Sequence, residues 1–478
     1  MSRTSRALAV AVATALSASC SLFTSFDGVG DQVPADATSS DTLSSGGEGG
    51  QGNGEGGDGG GGRDGRADGS DGSTCLGLQC QQVACPDGGT TTVSGTVRDP
   101  AKANPVYDAI VYVPNGPVGP MPQGASCDRC GVPPSGDPLV VALTASDGTF
   151  TLTNVPVGTN IPLVIQVGRW RRQVAIPIVS ACAANMIANA DLTRLPKDHT
   201  EGDIPHIAIA TGATDAIECL LLRMGVADTE FTDSTGAGRI HIYQGTGGVT
   251  AGAATQLSTA LTSSAALLAK YDMVAEACDA VNPATLPPPP ASLQNVADYT
   301  AQGGRLLGTH FQYKWVSDGP APLPSSATIV MSGVAPPNPL SVSVDTTFPK
   351  GEALAEWLVD VDASTTKGTL SVAAARADVT AAHAPSSAWL TATTLQTPQM
   401  VPYFSFDSPF GADAGAACGK TAIADFHFEA PVAGATLFPA ECAAGPMTPN
   451  DLAAEFLLFD LSACVQDDTK APQPPPTN

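Results

Sequence analysis

Three side chains with catalytic potential lie at the carboxyl ends of predicted strands in the second half of the chain. They are Cys278, His310 and His427. In parallel α/β sheets, ligands bind at the carboxyl ends of the strands, so these side chains are expected to meet there. A cysteine thiolate beside an imidazole is a competent nucleophile. The pattern therefore predicts Cys278 as a candidate nucleophile, with His310 or His427 as its base.

The residues around Cys278 leave other interpretations open. A nucleophile on a sharp strand-to-helix turn needs small neighbours, whereas the local sequence is Glu276-Ala277-Cys278-Asp279, with an acidic neighbour that raises a thiol pKa. In one alternative, Cys278 is buried or disulfide-bonded and both histidines are structural. In another, His310, His427 and Asp425 carry out hydrolytic or metal-assisted chemistry.

The region that must position these residues alternates between strand and helix patterns. Such alternation predicts a mainly parallel sheet of flavodoxin-like type over residues 199–466. Residues 316–400, rich in Pro, Ser and Thr, are expected to be an insertion beside this sheet, and 467–478 a disordered tail. The predicted strands are 204–210, 239–243, 271–278, 305–310, 401–406 and 420–428, and the predicted helices include 257–270, 293–302, 352–359 and 451–461.

Residues 75–198 show only strand patterns. The segment 91–97 alternates with period two, 109–114 reads as a second strand, and Asp147-Gly148 turns the chain into 149–153. Regular strand spacing with Gly and Pro turns predicts an all-β sandwich. The overall expectation is thus a multidomain chain, with an all-β sandwich followed by an α/β domain.

Both regions resemble known families. Val93-Ser-Gly-Thr-Val97 together with Asp147-Gly-Thr-Phe-Thr-Leu-Thr-Asn-Val-Pro-Val-Gly158 resembles the carboxypeptidase regulatory-like (prealbumin-like) domain, which implies a non-catalytic accessory sandwich. Tyr271-Asp-Met-Val274, Gly303-Gly-Arg-Leu-Leu-Gly-Thr-His310 and Asp425-Phe-His427 resemble the class I glutamine amidotransferase-like superfamily, within it the trehalose-utilisation-protein-like branch. That resemblance implies a strand-end cysteine activated by a histidine, which maps onto Cys278 with His310 or His427.

One basic cluster stands out on this acidic chain. Arg169, Arg171 and Arg172 flank Trp170 and could bind an anionic glycan or phosphate, or form a solvated hairpin tip. The net charge of −24, from 46 acidic and 22 basic residues, repels nucleic acid and anionic lipid, so neither is an expected partner.

The cysteine content indicates an oxidising compartment. Apart from Cys20, eleven cysteines remain, so at least one thiol is left over when the others pair. The alternative of a zinc ligand set is weakened by the lack of nearby histidines. The sandwich region holds six cysteines that could pair internally, and Cys418 with Cys442 and Cys219 with Cys464 would leave Cys278 free. The disulfide candidates are Cys75, Cys80, Cys85, Cys127, Cys130, Cys182, Cys219, Cys418, Cys442 and Cys464.

The first 20 residues predict export. Arg3 and Arg6 precede the apolar run 7–16, and small residues then lead to Cys20, an arrangement that resembles a lipobox. Cys20 is the predicted lipidation site, the alternative being cleavage after Ser19 and free secretion.

Residues 21–74, rich in Gly and Asp, are expected to form a disordered tether. Ser rather than Asp at position 21 favours transfer to the outer membrane. The segment Cys75-Leu-Gly-Leu-Gln-Cys80 and the whole arrangement resemble predicted envelope lipoproteins of soil-dwelling Gram-negative bacteria.

These observations lead to a functional expectation. The chain is expected to be an outer-membrane lipoprotein, facing the periplasm or the surface, that binds a carbohydrate or another envelope component without catalysis. Its only expected contact with the membrane is the lipid, and no cofactor and no metal is expected. The alternative is a repurposed hydrolase whose pocket contains Cys278, His310 and His427.

Overall fold

The computed structural model describes residues 75–413 and 415–477, so Cys20, the predicted signal peptide and the tether lie outside the described residues. Strands are numbered β1 to β19 and helices α1 to α7 in chain order. Within the part of the chain that the structure describes, none of the helices combines the length and the hydrophobicity of a membrane span.

The first seven strands form two small sheets. One has the order β4-β1-β7 and the other β3-β2-β5-β6. Burial alternates along β4, where Phe150 and Leu152 point into the core and the threonines between them are exposed. The predicted sandwich-like region is therefore present. Its strands are β1 Thr92–Thr96, β2 Ile110–Pro114, β3 Pro138–Leu143, β4 Thr149–Thr153, β5 Gly158–Val167, β6 Trp170–Val179 and β7 Ala184–Met186.

The next region is built on one ten-stranded mixed sheet, with the order β15-β14-β17-β18-β19-β12-β11-β8-β10-β9. The six strands from β19 to β9 run parallel, and the remaining four are antiparallel to their neighbours. Its strands are β8 Ile207–Thr211, β9 Phe231–Thr232, β10 Ile240–Gln244, β11 Met273–Glu276, β12 Arg305–Thr309, β14 Leu340–Val344, β15 Thr369–Val372, β17 Ser387–Ala392, β18 Met400–Ser408 and β19 Gly419–Ala424.

The expectation that residues 316–400 lie beside the sheet was wrong. Three strands from this segment, β14, β15 and β17, extend the same sheet on its antiparallel side. The reason is visible in β14, where Leu340, Val342 and Val344 are buried and the serines between them are exposed. Two further strands, β13 Ala327–Ile329 and β16 Val379–Ala382, pair separately.

Seven helices cover the sheet region within the described residues. The helix predicted over 257–270 is divided into two short ones because the Ser264 side chain caps a new start, accepting a hydrogen bond from the backbone N–H of Leu267. The helices are α1 Ile217–Arg223, α2 Ser258–Thr262, α3 Ala265–Leu268, α4 Pro290–Ala301, α5 Lys314–Ser317, α6 Pro349–Asp360 and α7 Pro449–Ser462.

The sandwich-like region and the mixed-sheet region share one hydrophobic core. Tyr107 stacks on Phe456 of α7 with ring centroids 5.5 Å apart, and Trp170 meets Phe459 edge to face at 6.0 Å. The indole N–H of Trp357 in α6 donates to the carbonyl of Pro105 over 2.8 Å. The described residues therefore form one compact unit rather than two separate bodies.

Ten cysteines form five disulfides, and Cys278 is the free thiol of the described residues. The pairs are Cys75–Cys80, Cys85–Cys182, Cys127–Cys418, Cys130–Cys464 and Cys219–Cys442. The predicted pairings Cys418–Cys442 and Cys219–Cys464 were wrong. Internal pairing within the sandwich region holds for four of its six cysteines, whereas Cys127 and Cys130 pair with cysteines of the sheet region. The cause is the loop between β2 and β3, which reaches the end of α7. There the backbone N–H of Cys130 donates to the carbonyl of Val465, and the N–H of Val465 donates to the carbonyl of Asp128.

The last residues are not the disordered tail that composition predicted. The side chain of Asp468 is only 9% exposed, and its carboxylate lies 3.0 Å from Nζ of Lys350 and 3.5 Å from Nζ of Lys420. Asp460 at the end of α7 completes this cluster, at 2.8 Å from Lys350. Two buried lysines need carboxylates nearby, so the chain beyond α7 is held against the body.

Candidate active site

The three predicted side chains converge at one edge of the sheet. Cys278 lies two residues after β11, His310 directly after β12 and His427 three residues after β19. These strands are parallel neighbours, so their carboxyl ends meet. Strand β11 also borders β8. After β8 the chain forms β9 and β10 on one side of that strand, and it then crosses to β11 on the other side. Cys278 therefore lies at the point where the strand order reverses, the usual position for ligands in such sheets.

A line of polar atoms runs through His310. Its Nδ1 lies 3.5 Å from Sγ of Cys278 and 3.1 Å from Nε2 of His427. Its Nε2 lies 3.3 Å from Oδ2 of Asp378. All four side chains are buried, and Cys278 is only 1% exposed. The arrangement is that of a thiol, an imidazole and a carboxylate in sequence, with a second imidazole at the side.

Asp378 was not found from the sequence. It lies just before β16 in the segment interpreted as an insertion, and no spacing relates it to His310. Its Oδ1 accepts a hydrogen bond from the backbone N–H of Ser332 over 3.0 Å. Asp425, a candidate for metal-assisted chemistry, holds the backbone at Asp378 in place. Its Oδ2 accepts hydrogen bonds from the backbone N–H groups of Asp378 and Val379 at 2.8 and 3.0 Å.

The backbone of Cys278 is held from three sides. Its N–H donates to Oγ1 of Thr309 over 2.9 Å, and its carbonyl accepts from Oγ1 of Thr214 over 2.8 Å. Gly212 packs directly against the same carbonyl, and a Cβ at this position would come within 2.2 Å of the oxygen. The position of the thiol is thus fixed by the turn that follows β8.

The sharp turn expected at a nucleophile lies at His310 instead. His310 has a φ of 43°, a left-handed conformation that non-glycine residues rarely adopt, between β12 and a short 3-10 helix. Gly308, two residues earlier, leaves room for the side chains of Gln312 and Ile423. The strained backbone therefore directs the imidazole, rather than the thiol, into the site.

The surroundings favour a charged pair between Cys278 and His310. Burial opposes ionisation of the thiol, but hydrogen bonds with His310, His427 and Thr214 lower the pKa of Cys278 to about 4. Burial likewise opposes the charge on His310, yet the contacts with Asp378 and Cys278 raise the pKa of its imidazole to about 9. The pKa of Asp378 is lowered despite its burial, because it faces His310.

The arginine cluster has structural partners within the chain. Arg171 is buried and binds the carboxylate of Asp203 at 2.8 Å, together with the carbonyl of Gly119. Arg169 donates to Oγ of Ser126, and Arg172 donates to the carbonyl of Asp191. The structure does not bring these arginines to the Cys278 site, and their guanidinium groups are engaged in holding the β5–β6 hairpin against the rest of the protein.

Comparisons with known proteins give only weak likenesses. Neither the family models nor the curated proteins include a match to this chain. A Thermoplasma acidophilum protein provisionally assigned as one of the subunits of GMP synthase aligns over 53% of this chain and 92% of its own, with 11% identity and a TM-score of 0.30. Two chains of type II cohesin-X-dockerin complexes from Acetivibrio cellulolyticus align over 28% and 30% of this chain and 85% and 76% of their own, each with 19% identity, at TM-scores of 0.16 and 0.15. At these scores the likenesses carry no conclusion about function.

Proposed function

We propose that this chain is an exported cysteine-dependent hydrolase of acyl compounds. The observation that carries the proposal is the line from Sγ of Cys278 to Nδ1 of His310 and from Nε2 of His310 to Asp378, at 3.5 and 3.3 Å. A nucleophile, a base and an orienting carboxylate in this order are the parts that acyl transfer to water needs.

The roles follow from the chemistry of each group. The thiolate of Cys278 attacks the carbonyl carbon of an ester or amide and forms a tetrahedral intermediate. The intermediate collapses to a thioester, and the leaving alcohol or amine takes the proton from His310. His310 then accepts a proton from water as the water attacks the thioester, which releases the acid and restores the thiolate beside the protonated imidazole. Asp378 keeps the imidazole oriented and stabilises its charge.

The five disulfides are typical of a protein that functions outside the cytoplasm. Within this proposal, Cys20 carries the lipid anchor and residues 21–74 form the tether that holds the hydrolase at the outer membrane. A reaction on an envelope component suits such a location better than the cytosolic ammonia transfer that the resemblance to amidotransferases would suggest.

Non-catalytic binding of a carbohydrate or another envelope component stays a prediction. The arginine cluster gives it little support, because the guanidinium groups already bind partners within the chain. The Cys278 site offers buried, chemically activated groups instead, so the hydrolase is the better supported of the two functions.

The test is to trap the acyl-enzyme. The exported full-length chain is mixed with p-nitrophenyl acetate, quenched in acid and analysed by intact and peptide mass spectrometry. We expect an acetyl group on Cys278 and release of p-nitrophenol that continues after the first turnover. His310→Ala should acquire the acetyl group far more slowly, because its thiol has lost the imidazole.

His383→Ala is the matched control, since His383 is exposed and hydrogen-bonds to Thr328. It should behave as the wild type. If the wild-type chain remains unacetylated while folded, or if Cys278→Ala releases p-nitrophenol equally fast, the hydrolase proposal fails.

A further inference from the structure

We propose that Cys278, His310 and His427 also form a binding site for a zinc ion. The inference goes beyond hydrolysis, because it depends on the positions of the three ligand atoms and not on turnover. These atoms all lie within 4.8 Å of one another, and each side chain is buried.

Two of the three separations between these atoms are close to those around a tetrahedral ion. With Zn–S of about 2.3 Å and Zn–N of about 2.0–2.1 Å, a tetrahedron places sulfur about 3.6 Å from a ring nitrogen and two ring nitrogens about 3.4 Å apart. The structure has 3.5 Å between Sγ of Cys278 and Nδ1 of His310. It has 3.1 Å between Nδ1 of His310 and Nε2 of His427.

A single proton cannot satisfy this cluster as well as a metal ion does. Nδ1 of His310 faces both the sulfur and the second imidazole, but a ring nitrogen carries at most one hydrogen or one lone pair. A cation placed between the three atoms accepts a lone pair from each of them.

The carboxylate behind His310 has the position typical of metal sites. Asp378 lies at Nε2, so it accepts the proton there and leaves Nδ1 free to bind a metal. One thiolate and two imidazoles suit zinc and disfavour calcium or magnesium, which require oxygen ligands. The fourth position is left to water or to a substrate group.

Zinc binding would also control the thiol. A bound ion holds the sulfur lone pair that hydrolysis needs, so zinc should inhibit the enzyme and a chelator should restore it. This coupling rests on the proposed function, whereas the binding site itself does not.

The experiment measures metal rather than activity. The full-length chain is stripped with EDTA, titrated with Zn²⁺ against a chromophoric chelator, and separately loaded with Co²⁺ for absorption spectroscopy. We expect one Zn²⁺ per chain and a thiolate-to-cobalt charge-transfer band. Cys278→Ser and His427→Ala should each weaken Zn²⁺ binding by more than about 100-fold, and Asp378→Asn by about 10- to 100-fold. His383→Ala should not change it.

A second measurement needs no variant. Zn²⁺ added to the wild-type chain should slow alkylation of Cys278 by iodoacetamide at least tenfold, as read by peptide mass spectrometry. The proposal is overturned if the wild type binds no Zn²⁺, or if Zn²⁺ leaves the alkylation rate unchanged. Failure of the acetylation experiment together with Zn²⁺ binding would remove the hydrolase and leave the metal site standing.

Discussion

His310 lies between the other three polar side chains of the site. Nδ1 of its ring lies next to a thiol and a second imidazole, and Nε2 lies next to Asp378. Its φ of 43° shows that the fold holds this residue in a conformation the isolated chain disfavours. Each of these contacts depends on the orientation of the His310 ring. Asp378, the partner that sets this orientation, therefore has a large effect on the reactivity of the site.

Asp378→Asn tests that partner. An amide can donate to Nε2 and so favours the wrong tautomer, with the proton on Nδ1 and no charge to stabilise the imidazolium. We expect kcat for p-nitrophenyl acetate to fall by about 10²- to 10⁴-fold, with a much smaller change in KM. Steady-state kinetics check this. Asp318→Asn, at an exposed position, should leave kcat unaffected, and an equal loss in both variants would contradict the role of Asp378.

Gly212→Ala tests how the thiol is positioned. The new Cβ would meet the Cys278 carbonyl oxygen at 2.2 Å and its carbon at 2.7 Å, both backbone atoms that cannot rotate away. We expect a loss of about 1–3 kcal/mol in the free energy of unfolding, measured by denaturant titration, and slower acetylation of Cys278. Gly89→Ala, where an added Cβ meets nothing within 4 Å, is the control. Wild-type stability in Gly212→Ala would show that the turn can shift freely.

At the scale of elements, α7 links the two regions through an unusual pair of carboxyl groups. Asn104 donates to Oε2 of Glu455 over 2.6 Å, and the backbone N–H of Ala103 donates to Oδ1 of Asp99 over 2.7 Å. The second oxygens of Asp99 and Glu455 are both buried without another partner among the described residues. Burial raises the pKa of Asp99 to about 6 and that of Glu455 well above its usual range. Each of the two acids therefore holds its proton more readily than it would in an unfolded chain.

This pair predicts that stability falls as the pH rises. The folded pKa of Asp99 lies above its value of about 4 in an unfolded chain, so its contribution is complete below pH 4 and lost as the pH passes about 6. We expect a loss of about 1–3 kcal/mol between pH 4 and pH 7. Denaturant titrations at several pH values check this. Glu455→Gln, which keeps a donor without a charge, should flatten the profile, whereas Asp318→Asn at an exposed position should not. An identical slope in Glu455→Gln would exclude the pair as its source.

The sequence predicts some elements better than others for physical reasons. The strands β8, β11 and β12 are found because they are short apolar runs between turn signals. The amphipathic helices α4 and α6 are found because their apolar residues recur with a local period. In β14 the alternation of Leu340, Val342 and Val344 is equally local, but the prolines and serines around it are typical of a loop. Asp378 is different, since its approach to His310 depends on how the strands after β12 fold back toward the site. No local sequence pattern reports this long-range arrangement. Cys278, His310 and His427 were found because parallel strands bring their carboxyl ends together.

At the scale of the whole molecule, two disulfides join the sandwich-like region to the sheet region. Cys127–Cys418 spans 291 residues and Cys130–Cys464 spans 334. Such pairings cannot be read from a sequence, because any of the eleven thiols could reach any other until the fold is known. Because each of these disulfides closes a long loop of the chain, each removes many conformations from the unfolded state.

Replacing both cysteines of a pair by serine tests this contribution. Removing Cys127–Cys418 should lower the free energy of unfolding by about 2–5 kcal/mol, whereas removing Cys75–Cys80, separated by five residues, should cost less. Denaturant titration of both double variants gives the comparison. Equal losses would mean that local packing, and not chain length, determines the effect.

The same long-range disulfides bear on how the protein withstands attack by extracellular proteases. The segment 330–337 contains the partly exposed Val330, Met331 and Val334, and it lies between the cysteines of three pairs. A cut there produces two fragments that stay covalently joined through Cys127–Cys418, Cys130–Cys464 and Cys219–Cys442. The nicked molecule would therefore migrate as one species until it is reduced, and Cys278 and His427, on opposite sides of the cut, would remain tied into the same molecule.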